Sequence, residues 1–122
     1  MSCAATVATR TVLTNEIAEG VSSLLSVTFV DENAATIASL TTLTMTLYEE
    51  STEDIINSRT DSDVSASLSG GVLTLTLAPD DNAMITSKLC ERHIALFEYT
   101  WSAGSKTGKY EVVFTVRNLT KV

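Results

Sequence analysis

Apolar and polar residues alternate with a period of two through most of this chain, and that pattern buries one side of a strand while wetting the other. In "VSSLLSVTF" Val21, Leu25, Val27 and Phe29 fall on one side. In "LTMTLY" Leu43, Met45 and Leu47 oppose Thr44 and Thr46, and in "VLTLTL" Leu73, Leu75 and Leu77 oppose Thr74 and Thr76. The final stretch "KYEVVFTVRNLTKV" sets Tyr110, Val112, Phe114 and Val116 against Lys109, Glu111, Thr115 and Arg117. Thr, abundant in all of these, fits a pleated surface better than a helix.

Turn-rich stretches separate the runs: "DENAATIAS", "EESTED", "NSRTDSD", "SGG" and "SAGSKTG". Strands are therefore expected near 10–14, 21–30, 42–49, 55–58, 64–69, 72–78, 92–102 and 109–117, short and regularly broken as in a sandwich or barrel. One helical turn is expected in "APDDNAMIT", near 80–86, where Pro79 fixes φ and Asp80 or Asp81 can cap exposed N–H groups. "ERHIALFEYTW" carries apolar residues on both faces, with Ile94 and Leu96 opposite His93, Ala95, Phe97, Tyr99 and Trp101. A central strand, a partner-covered strand or a β-bulge would each produce this.

At 122 residues the chain has the size of one domain, and its 44% apolar and 19% charged composition is that of an ordinary globular protein. Residues 1–9 read as an arm, 10–119 as the β domain and 120–122 as a short tail. Fifteen acids against eight bases give a net charge of −7. The bases stand singly, which argues against nucleic-acid binding, and the acidity discourages adhesion to anionic membranes. No apolar run is long enough to cross a bilayer. "MSCAATVATRTVLT" lacks the basic and apolar regions of a signal peptide. Cys3 and Cys90 are the only cysteines and suggest neither a disulfide scaffold nor a metal site, so folding in a reducing cytoplasm is expected.

No catalytic motif stands out. His93 is the one histidine, and a hydrolase reading would rest on it with a loop carboxylate. Glu49, Glu50, Glu53 and Asp54 read as a solvated acidic loop. Asp61, Asp63, Asp80 and Asp81 lack the spacing of a calcium loop, so no metal, cofactor or catalytic residue is assigned. Asn118 opens an NxT pattern without secretory context. Phe97, Tyr99 and Trp101 form an alternating aromatic stripe; with Arg10 and Val12 of the first strand they are the candidate partner interface, and Tyr99 and Trp101 are also possible sugar-stacking rings.

The segments "VTFVDENA", "LTLTLAPDDNAMI" and "YEVVFTVRNL", in this order, resemble the small immunoglobulin-like β-sandwich virion proteins of tailed bacteriophages, over about residues 12–119. The resemblance implies a single all-β, immunoglobulin-like antiparallel sandwich of seven to eight strands. It also implies a non-enzymatic structural protein located in the virion: a capsid decoration or cement subunit on the major capsid protein, arrayed as a homo-oligomer or symmetric lattice. The alternative is a tail, neck or baseplate module for assembly or for host-surface carbohydrate. These likenesses are architectural, and no functional residue carries over with them.

Overall fold

The computed structural model describes residues 10–31 and 33–119. The expected arm, with Cys3, and the expected tail lie outside the described residues. Among the described residues eight strands form two sheets: β1 (Arg10–Ala18), β2 (Ser23–Thr28), β3 (Thr42–Glu49), β4 (Ser62–Asp63), β5 (Leu68–Ser69), β6 (Val72–Leu77), β7 (Cys90–Trp101) and β8 (Lys106–Arg117). One sheet runs β1-β8-β7-β3-β4 and the other β2-β6-β5. The fold is an all-β sandwich. In it β8, β7 and β3 face β2, β6 and β5 across the core.

The alternation places the core. Leu25, Val27, Phe29, Leu43, Met45, Leu47, Leu73, Leu75 and Leu77 meet Ala95, Phe97, Tyr99, Val112, Phe114 and Val116 between the sheets. β7 and β8 pair in register from Cys90↔Arg117 to Trp101↔Lys106, across the "SAGSKTG" turn. β7 occupies the middle of its sheet with no break in register on either side. Its two apolar faces are thus those of a central strand.

Several boundaries differ from the sequence reading, each for a local reason. β1 continues past residue 14 to Ala18 by way of a register shift between Val12 and Glu16, and it pairs parallel to β8 where an antiparallel sheet was expected. Periodicity assigns faces to a strand but not the direction of its neighbour. Residues 55–58 are a turn: Asn57 and Ser58 hold φ of 54° and 55°, and only the Tyr48↔Ile55 bridge remains of a strand. Residues 64–69 are mostly a 3-10 turn, Ser65–Ser67, begun by the Asp63 carboxylate accepting the Ser65 N–H and hydroxyl, with β5 following. Helical structure near 80–86 is limited to the 3-10 turn Pro79–Asn82.

That turn carries an ion pair that ties the β3–β4 connection to the β6–β7 connection. Arg59 lays Nε and Nη2 on the two Asp81 oxygens at 2.9 and 3.0 Å. Asn57 and the Ala78 N–H donate to the same carboxylate at 2.9 and 2.8 Å. Gly71 answers a tighter constraint: at φ +81°, a Cβ there would sit 2.2 Å from the Ile37 carbonyl oxygen. Only glycine lets the Phe29–Ile37 hairpin close against β6.

Candidate functional site

The outer face of the five-stranded sheet carries a surface that no single strand reveals. Cross-strand register aligns Tyr48↔Ile94, Ile94↔Val113 and Val113↔Val12, a row of four apolar residues from β3 to β1. Leu96 lies in the adjoining row and Ile55, 42% exposed, beside Tyr48. Tyr48, Leu96, Ile55 and Glu53 line a shallow depression of about 370 Å³.

Charged residues close around this row. Arg10, in the row of Leu96 and Glu111, reaches across to Glu50 at 3.4 Å and stands 3.8 Å from Glu111. Arg92 approaches Glu50 from the other side at 3.7 Å. Val113 and Ile94, in the middle of the row, are 0% and 5% exposed though they face outward. Burial, followed by the Glu111 and Glu53 carboxylates, raises the Tyr48 phenol above its ordinary range. An aromatic and aliphatic centre inside a rim of paired charges has the anatomy of a protein-binding patch.

The five residues of the expected interface fall into two places. Arg10 and Val12, the latter 54% exposed, belong to this outer patch. Phe97 and Tyr99 point between the sheets, at 0% and 6% exposure, where both rings pack on Phe29. Trp101, half-buried, stacks on Tyr99 at 5.7 Å between centroids. The core takes up the area a sugar or partner would need from Phe97 and Tyr99. Tyr48 and Leu96, partly exposed, join the patch instead, above the buried Ile94 and Val113. Their signal in the sequence is the second apolar face of β7 and the doubled valine that interrupts alternation in "YEVVF".

His93 also faces inward, fully buried, with its ring edge-on to Phe114. Its Nε2 lies 2.6 Å from Glu91 Oε1, and Nδ1 has no hydrogen-bond partner. Glu91 further accepts the N–H groups of Ile85 and Thr86 and the Thr86 hydroxyl. Burial lowers the His93 pKa, and the Glu91 carboxylate only partly offsets this, so the imidazole is neutral near pH 7. A base so enclosed meets no substrate in this conformation. Glu49, expected in a solvated loop, is 2% exposed. Burial alone would raise its carboxyl, but the Ser51 hydroxyl and the N–H groups of Ser51 and Thr52 hold it at about 2. Among the described residues no cluster of three His, Cys, Asp or Glu side chains is arranged to hold a metal ion.

His93 and the buried carboxylates, Glu49 together with Glu91 and Asp81, which are also held below their ordinary values, set an acid response in two steps. An unfolded His93 titrates at its ordinary 6.5, above its folded value, so from pH 6.5 downward the unfolded state binds the extra proton and stability falls. Glu49 contributes stability above its ordinary 4.5, lost as pH drops toward about 2. Thermal melts from pH 8 to pH 3 should show a plateau above about 6.5 and two declines below it. His93→Gln should flatten the first decline and keep the second; a first decline identical in the variant assigns it elsewhere.

No helix among the described residues is long and apolar enough to cross a membrane. Comparison with protein-family models, with curated proteins and with solved structures finds no match to this chain in any of the three.

Proposed function

We propose that this chain is a non-enzymatic virion structural protein of a tailed bacteriophage, a decoration or cement subunit that docks on the major capsid protein lattice. The reading rests on the resemblance of its strand-and-turn segments to that class. The observation that carries it is the outer patch of Val12, Tyr48, Ile55 and Leu96, seated on the buried Ile94 and Val113 and rimmed by Arg10, Glu50, Arg92 and Glu111. The five-stranded sheet fixes the backbone of this patch, which limits the entropy cost of docking to the side chains at its rim. Contacts repeated over a shell reinforce one another where neighbouring subunits also touch.

The test is co-sedimentation of purified protein with phage capsids that lack it. Leu96→Asp places an unpaired carboxylate in the patch and should weaken capture by about 100-fold or more while the melting temperature changes little. Retention on tails or baseplates but not on capsids would move the same patch to a tail, neck or baseplate subunit. Capture by a glycan array, abolished by Trp101→Ala, would replace the capsid reading with a carbohydrate-binding one.

A further inference from the structure

The two sheets have four edges, and one of them is built differently from the rest. β4 and β5 are two residues long. β1 carries Arg10 and Glu16 and a register shift, the devices that discourage a further strand from pairing. β2 has none of these. It runs six residues, SLLSVT, with no charge, proline or bulge, and among the described residues nothing pairs with its outer side.

Its free backbone groups can be assigned. The Phe29 N–H donates to the Gly71 carbonyl, on the β6 side, and the β2–β6 register continues as Val27↔Leu73 and Leu25↔Leu75. N–H and C=O directions alternate along a strand, so Leu24, Ser26 and Thr28 direct theirs away from β6. Their side chains are exposed, Leu24 at 62%. Beneath this edge a cleft of about 420 Å³ opens between the sheets, lined by β2 together with Thr11, Leu13, Tyr110 and Val112.

We infer that this edge pairs with β2 of a second copy of the chain, antiparallel about a two-fold axis at Ser26, joining two three-stranded sheets into one of six strands. The strand is complementary to itself in that register. Ser26 opposes Ser26 and Leu24 opposes Thr28, so every free N–H and C=O of the three residues gains a partner, and Leu25 meets Val27 on the core side, where the two clefts adjoin. Each copy carries −7, so association needs a surface without charge, and 20–30 is such a segment. An edge about 20 Å long buries less than a permanent dimer does, so the pairing is reversible and strengthens with salt as the repulsion of the like-charged copies is screened. The inference deepens the proposed interaction role and rests on it only for its use in an array; the dimer itself is measured on isolated protein.

Sedimentation velocity of the full chain up to about 200 µM, at low and high salt, should show a concentration-dependent dimer favoured by salt. Ser26→Pro removes an N–H that β6 does not use, and Ser26→Lys sets two like charges opposite one another; each should weaken the dimer at least tenfold with the melt unchanged. Thr74→Lys, on the same outer face but on the middle strand β6, should leave the dimer intact and shows that charge on the face is not the cause. A monomer at every concentration overturns the inference, as does a dimer indifferent to both Ser26 variants. A chain lacking residues 1–9 that dimerises where the full chain does not also overturns it, assigning the edge to the chain's own N-terminus. None of these outcomes bears on capsid capture, which the Leu96→Asp experiment reads separately.

Discussion

A chain ending at Gly108 is expected not to fold. The cut removes all but the first three residues of β8, the strand that pairs with β7 along twelve positions and is the one partner of β1 among the described residues. It also removes Val112, Phe114 and Val116, each at most 4% exposed, and the partly buried Tyr110. Truncating one such side chain costs about 2–5 kcal/mol, against a total stability of about 5–15 kcal/mol for a domain. Three together exceed the lower part of that range before any lost ladder bond is counted. Circular dichroism should show no cooperative melt for this chain, whereas one ending at Leu119 keeps every described strand and its transition. A cooperative transition in the shorter chain within a few degrees of the full one would refute the assignment of β8 as the strand that closes the core.

The second large effect is expected at Arg59. Asp81 is fully buried and ionised: burial raises its carboxyl, but Arg59, Asn57 and the Ala78 N–H together bring it below its ordinary value. Arg59→Ala leaves that charge in place with two of its neutral donors and no cation. Breaking a buried pair from one side costs about 3–5 kcal/mol, and the partial exposure of the Arg59 side chain places this case near 3. Urea unfolding should register the loss. Arg59→Lys should recover only part, because a single ammonium cannot meet both oxygens. Arg59→Met with Asp81→Leu should recover most, since the cost lies in the stranded charge. A change within about 0.5 kcal/mol for Arg59→Ala would class the pair with ordinary surface contacts.

What the sequence made legible was each strand's inward face. Leu43, Met45 and Leu47, or Leu73, Leu75 and Leu77, can be read from alternation alone and are the core. What it concealed was which strands are neighbours and how far loops turn inward. Ile55 and Ile56 look like a strand, yet Asn57 and Ser58 enter the left-handed region immediately after them and Ile56 is tucked into the core from a turn. Asp81 does cap its turn by accepting the Ala78 N–H, and Glu49 looks like a solvated acid, but the burial of the two depends on Arg59 and on the Ser51–Thr52 turn, donors that periodicity does not place. In β7 both the stripe containing three aromatic residues and the stripe containing Ile94 and Leu96 carry apolar side chains. The opposing sheet decides between them, and it turns Phe97 and Tyr99 inward while leaving Leu96 to the patch.

The Arg10 contacts at the rim of that patch are also dispensable to their partners. Glu50 has two cations within 4 Å, Arg10 and Arg92, and Glu111 is about one-third exposed to water. When Arg10 swings toward an acceptor on another molecule, Glu50 keeps Arg92 and Glu111 is hydrated, so no carboxylate is stranded. Arg10 can thus leave its partners in this charged rim at little electrostatic penalty, while Glu50 and Arg92 stay paired beside the apolar row.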